Sequence, residues 1–338
     1  MALIYRAHFA FAKTPRISSK GLNTSAVFGF TNTILEVIQK EKPDYLGVAF
    51  DTSAPTFRHV EYTPYKAQRQ EQPEDISIAI PYVKKLVEAM DIPILILDGY
   101  EADDIIGTIA KKAVRANPDI EVYMMTPDKD YGQLVEERIK MYKPAFMGKG
   151  VEILGPKEVC AKWNIQHVDQ VIDMLGLMGD AVDNIPGVPG VGEKTAQKLI
   201  EEYGSMENLF KNTDKLKGKL RENLENFQEQ GMLSRHLATI LCEVPLDYEE
   251  DKLIITAPKK DLLEPLLDEL EFRTLRRRIL GEDSEPAAPK VKASPKVAAN
   301  QMDMFGSPTA APADFMMAEE EEEKVSHFSN LANTAHQY

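Results

Sequence analysis

The stretch ILILDGYEADDIIGTIAKKA, residues 94–113, decides how the chain is read. Its first four residues are apolar and suit a short buried strand. Acids follow, and from Asp103 onward apolar residues recur at helical spacing. Strand, acidic loop and helix in that order form a unit of a parallel α/β sheet. Glu101, Asp103 and Asp104 crowd into the loop. Acids at a helix N-terminus are favourable by about 0.3–1 kcal/mol each, which accounts for one or two of the three. A bound cation accounts for all of them.

The same alternation continues on both sides. Residues 22–40 read as a helix, with Val27, Phe30, Ile34 and Val37 near helical spacing. Residues 45–50 (YLGVAF) read as a strand ending at Asp51, 78–90 as a helix, and 122–125 as a strand running into TPDKD. The expected fold is a mostly parallel α/β sheet with flanking helices. Such sheets place ligands beyond the carboxyl ends of their strands, so three acidic clusters should converge on one edge. From about Val168 the alternation stops, and 168–177, 195–203, 217–230 and 262–270 read as helices. We expect an α/β domain over 1–166 and an all-helical domain over 167–280. Pro, Ala, Lys and Ser then dominate, and with the Glu319–Glu323 run they mark 281–326 as a disordered acidic linker.

The chain has 338 residues and a net charge of −14. The segment after Leu280 holds ten acids and four bases, which leaves −8 for residues 1–280. If eight core carboxylates hold metal ions, the remainder is near neutral, so acidity does not exclude DNA. No apolar run approaches the roughly 18 residues of a membrane span. Two distant cysteines, Cys160 and Cys242, argue against a disulfide scaffold or a zinc cluster and for a reducing cytoplasm.

Asp51, Glu101, Asp103, Asp104, Asp128, Asp130, Asp180 and Asp183 stand at element ends. Clustered without counter-charge, several would stay protonated. Mg²⁺ or Mn²⁺ would keep them ionised, because hard cations take oxygen ligands. Two such ions about 4 Å apart suit phosphodiester hydrolysis.

IPGVPGVGEKTAQKLIEEYGS, residues 185–205, has the look of a Walker A loop, but Glu193 separates Gly192 from Lys194 and Thr195. It reads better as a turn between helices. Gly187, Gly190 and Gly192 permit close approach to a partner. The following helix N-terminus, with Thr195, Lys194 and Lys198, suits a DNA phosphate backbone held without reading its sequence.

Six stretches carry a resemblance when taken in order. They are YRAHFA (5–10), FDTSAPTFRH (50–59), YKAQR (65–69), GYEADD (99–104), TPDKDYGQL (126–134) and GDAVDNIPGVPGVGEKTA (179–196). Over roughly residues 1–280 the chain resembles the flap endonuclease family of 5′ nucleases, in the form of the N-terminal 5′→3′ exonuclease region of bacterial DNA polymerase I. The resemblance implies a PIN-like nuclease domain and a helix-three-turn-helix (helix-hairpin-helix) element that grips duplex DNA, with K⁺ at the turn. It implies metal ligation by the eight carboxylates named above. Tyr65, Lys66 and Arg69 match an arch over a single strand, and Arg6 matches a basic position near the scissile phosphate. It further implies a cytoplasmic, nucleoid-associated monomer, normally fused to polymerase domains, that acts on 5′ flaps and nicks in replication and repair. SNLANTAHQY (329–338) resembles the opening of a 3′→5′ exonuclease-like domain, placed at 327–338. Family members also begin with an apolar strand ending in Asp, just ahead of the segment matching 1–6. That strand belongs in the middle of the sheet, so we expect the coding region to start upstream, with Met1 an internal methionine. A DNA-binding fragment without catalysis is the alternative reading, and a PIN-type ribonuclease the third.

Overall fold

Ile94–Leu95 is a strand, and the acidic loop runs into a helix at Ala102. The computed structural model describes residues 1–145 and 150–281. The expected linker (but for Gly281) and the 327–338 segment lie outside the described residues. Helix α1 (Ala2–Ala10) packs on α2 (Ser25–Lys40), followed by β1 (Val48–Ala49), α3 (Phe57–Glu61), α4 (Glu74–Ala89), β2 (Ile94–Leu95), α5 (Ala102–Ala116) and β3 (Val122–Met125). Next come β4 (Ile139–Lys143), β5 (Glu152–Leu154) and α6 (Pro156–Trp163). The helical part contains α7 (Gln170–Met178), α8 (Glu193–Tyr203), α9 (Met206–Lys211), α10 (Gly218–Asn226) and α11 (Gln228–Ala238). Helices α12 (Lys260–Glu269) and α13 (Arg273–Leu280) close the described chain.

The fold is the expected mixed α/β arrangement followed by helices, with two differences in detail. The 217–230 helix is broken at Phe227 into α10 and α11. Helices α12 and α13 turn back onto the first half of the chain. Leu263, Leu266, Leu267 and Phe272 bury into the core built by α2 and α4, and the Phe272 and Phe28 rings meet edge to face at 5.5 Å. A separate core joins β3–β5 to α7, α8 and α11. Amphipathic spacing explains the sorting. On α4, Ile76, Ala79, Val83, Leu86 and Val87 share one buried stripe.

β1 pairs in parallel with β2, and β3 in parallel with β4, which pairs antiparallel with β5. These are two separate sheets. In a parallel ladder, alternate residues bond to alternate sides. Val48 and Phe50 donate to Pro93 O (3.0 Å) and Leu95 O (3.1 Å), so Ala49 directs its peptide groups to the opposite edge. Val122 donates to Arg138 O (2.8 Å), which leaves Tyr123 facing away from β4. Both open edges line one cavity of 1540 Å³, walled by Phe30 and Ile34 of α2 and by Ile106 and Ile109 of α5.

Candidate active site

The α5 N-terminus is built by its own acids. Glu101 is the N-cap, and Asp104 closes a capping box by accepting from the Glu101 N–H (3.2 Å). Asp51, two residues past β1, accepts from Ala102 N–H (2.9 Å), so it too caps this helix. Asp128 follows β3 and folds a turn by accepting from Asp130 N–H (3.0 Å). Asp51, Glu101, Asp103 and Asp128 line the same cavity. Asp130, Asp180 and Asp183 extend the acidic patch beyond it, and the charge of Asp128 bears on both Asp103 and Asp130.

Burial sets the electrostatics. It pushes the Asp103 carboxyl up to about 7, helped by Asp128, Glu101 and Asp51 and opposed by the Tyr131 hydroxyl, which donates to Asp103 Oδ1 at 2.7 Å. Burial and then the charges of Asp128 and Asp180 push Asp130 up to about 8. Its Oδ1 is buried with no hydrogen-bond partner. An orphaned carboxylate oxygen among further carboxylates fits a hard divalent cation.

Cations of the chain occupy much of this patch. Lys66 Nζ lies 2.8 Å from Glu101 Oε1 and 3.6 Å from Asp183 Oδ2, Arg69 bonds Asp183, and Lys129 Nζ is 3.5 Å from Asp180 Oδ2. Among the described residues, no three His, Cys, Asp or Glu side chains are drawn together into a ready-made ion site.

Several expected residues are engaged with other parts of the chain. Asp104 is fully buried, and Arg58 takes both its oxygens at 2.8 Å; it answers to the helix end and this ion pair rather than to the open cavity. Tyr65 is 3% exposed, and its hydroxyl bonds Glu101 (3.1 Å) and Asp183 (3.2 Å). Arg6 donates to Pro144 O (2.9 Å) and Ala145 O at the exit of β4. Gly187 is buried, its N–H given to Ser234 Oγ (3.0 Å) and its carbonyl to Gln230 Nε2 (2.7 Å), so it shapes the turn from inside.

Gly190, Gly192, Lys194 and Lys198 are exposed, with Thr195 half-buried beside them. Lys194 and Lys198 are four apart on α8, which Gly192 caps in an extended conformation. The carbonyls of Val188 and Pro189 already accept from Val191 N–H and Asn223 Nδ2, so a K⁺ ion at this turn would share them. Arg58, Tyr131 and Gln133 were not anticipated. The signal for Tyr131 and Gln133 lay in their neighbours, since both belong to TPDKDYGQL.

Comparison with known proteins fits this geometry. A family described as "5'-3' exonuclease, N-terminal resolvase-like domain" matches residues 1–164. Its companion, "5'-3' exonuclease, C-terminal SAM fold", matches residues 166–261. The chain belongs to the 5′-3′ exonuclease family. It is 36% identical over 278 residues to a 5′-3′ exonuclease of Aquifex aeolicus, covering 82% of this chain and 92% of that protein. It is 40% identical over 291 residues to DNA polymerase I of Bacillus subtilis, covering 85% of this chain but 32% of that protein. The chain thus spans about a third of the length of such polymerases. The fold also matches the T5 D15 protein co-crystallised with metal ions, with a TM-score of 0.59, 20% identity, and coverage of 80% of this chain and 96% of that one. The catalytic core of Rad2 in complex with DNA substrate matches with a TM-score of 0.55 and 18% identity, covering 83% and 90%. No helix among the described residues is long and apolar enough to cross a membrane.

Proposed function

We propose that the chain is a structure-specific 5′ nuclease that hydrolyses DNA phosphodiesters at 5′ flaps and nicks. The observation that carries this reading is the meeting of Asp51, Glu101, Asp103 and Asp128 around one cavity, with the unpartnered Asp130 Oδ1 next along. Asp51, Glu101, Asp103, Asp128, Asp130, Asp180 and Asp183 would hold Mg²⁺ or Mn²⁺, two ions being the natural number for this many carboxylates. The metal, when bound, supplies an activated water and charge stabilisation at the phosphate. Burial raises the pKa of Asp103 and Asp130, so metal loading would release protons as well as the side chains that pair with the acids. Lys66 and Arg69, freed from Glu101 and Asp183, would be placed to meet the phosphates of the flap strand. Lys194, Lys198 and the Gly190–Gly192 backbone would hold the duplex away from the cut, by charge and by backbone N–H groups.

The full activity, in replication and repair as part of a polymerase, remains part of this proposal, as does a monomeric, nucleoid-associated state. A second reading is a chain that binds DNA without cutting it. Incubation of the 338-residue chain with 5′-flap DNA and Mg²⁺ separates the two. A shortened 5′ product lost on chelation supports the nuclease; binding without product supports the second reading.

A further inference from the structure

Residues 237–241 comprise the last two residues of α11 and the segment that leaves it, and side chains from both carboxylate-bearing regions bond their backbone in turn. Arg58 Nε donates to Leu237 O (2.9 Å), and Arg58 Nη2 to Thr239 O (2.7 Å). Gln133 Nε2 donates to Ala238 O (3.0 Å), and Gln133 Oε1 accepts from Ile240 N–H (2.8 Å). Leu241 N–H donates to Asp104 Oδ1 (2.8 Å). The Arg58–Asp104 pair thus bonds Leu237, Thr239 and Leu241, and Gln133 bonds Ala238 and Ile240.

Each of these side chains is also fixed to the acidic site. Arg58 spends two donors on Asp104, and its Nη1 lies 3.6 Å from Glu101 Oε2, so all five of its N–H groups are directed. Asp104 holds the Glu101 N–H. Gln133 Nε2 also donates to the carbonyl of Asp130 itself (3.0 Å). At its other end, α11 supports the glycine turn through Ser234 and Gln230, both on Gly187.

We propose that residues 237–241 template the acidic site, and that Gln133 and Arg58 are positioning residues for the reaction. The helical half thereby sets the separation between the Glu101 end of α5 and the Asp128–Asp130 turn. Gln133 ties the Asp130 main chain to Ala238 and Ile240, and Arg58 ties the Glu101 helix end to Leu237 and Thr239. This inference rests on the nuclease reading only in taking those carboxylates as the ones that bind metal.

The test uses the full chain carrying Gln133→Met, which keeps the side-chain length and removes both polar contacts, and Gln133→Glu, which keeps only the acceptor for Ile240. Leu263→Ala, in the separate core, controls for lost stability. Mn²⁺ is titrated calorimetrically without DNA, below the melting temperature of every variant, and kcat, KM and duplex affinity follow on 5′-flap DNA. Groups that orient metal ligands typically change metal affinity or activity about 10–100-fold. Gln133→Met should weaken Mn²⁺ binding and lower kcat by about that much, with duplex affinity unchanged and Gln133→Glu intermediate. The control should lower the melting temperature alone. Mn²⁺ affinity unchanged in Gln133→Met, or reduced equally by Leu263→Ala, overturns the inference. Binding of Mn²⁺ without cleavage by the unaltered chain overturns only the nuclease reading, and the titration still decides this one. No Mn²⁺ binding by the unaltered chain overturns both.

Discussion

Lys66 bridges two carboxylates that stand 82 positions apart, Glu101 at the head of α5 and Asp183 beyond α7. The Tyr65 hydroxyl spans the same two residues. Lys66 itself has a left-handed backbone (φ 55°), and its N–H donates to Asp183 O at 3.0 Å. Its ammonium thus competes with a divalent ion for the same oxygens. Lys66→Met should therefore tighten Ca²⁺ binding to the DNA-free protein several-fold while slowing flap cleavage. Calcium titration and single-turnover cleavage check both halves; weaker Ca²⁺ binding would contradict the competition.

Removing Arg58 strands a buried carboxylate. Arg58 is 2% exposed and Asp104 0% exposed. Burial works against the Arg58 charge, but the hydrogen bonds and charge of Asp104 outweigh it and raise its pKa. Breaking one partner of such a pair costs about 3–5 kcal/mol. Arg58→Met should lose stability of that order in urea unfolding, and Arg58→Met with Asp104→Leu should recover much of it. A double variant no more stable than the single would mean that the lost carbonyl contacts to Leu237 and Thr239 dominate.

Asp103 and Asp130 give the metal-free protein a pH signature. Their folded pKa values, about 7 and about 8, lie above the ordinary 3.8. Between those limits the folded state holds more protons than the unfolded one, so stability must fall as pH rises. The urea midpoint in chelator should therefore decline from about pH 5 to about pH 8, and saturating Mg²⁺ should flatten the decline. A midpoint that rises over this range would contradict the burial of these carboxyls.

The glycine turn separates into an inner and an outer part. A Cβ on Gly187, whose φ is +63°, would sit 2.4 Å from Gly179 N and 2.5 Å from Met178 C. Gly187→Ala should destabilise the chain by more than about 1 kcal/mol. A Cβ on Gly192 meets nothing within 4 Å. Gly192→Ala should keep the melting temperature and weaken duplex DNA binding, because the methyl would keep a phosphate off the backbone. Binding unchanged in Gly192→Ala would remove this glycine from the interface.

The sequence made the three short strands and the long helices legible, because apolar periodicity and strand-end acids are local signals. It also made the acidic set legible as a set. It did not separate Asp104 from its neighbours, since its partner Arg58 lies 46 positions away and burial decides the pairing. Nor did it show that Tyr65 is buried, its hydroxyl satisfied by residues from two distant segments. β4 and β5 escaped notice because IKMYK and EIL mix charge with apolar residues, and only pairing with β3 makes them strands. The return of α12 and α13 to α2 and α4 is long-range packing that no local pattern encodes.

The most direct test compares flap cleavage with flap binding in the 338-residue chain and in Asp128→Ala. Asp128 joins the two groups of carboxylates and lines the cavity. A Mg²⁺-dependent 5′ product that falls by orders of magnitude in Asp128→Ala, with flap affinity retained, is the predicted result. Cleavage that persists in chelator, or cleavage and binding lost in equal proportion, would contradict it.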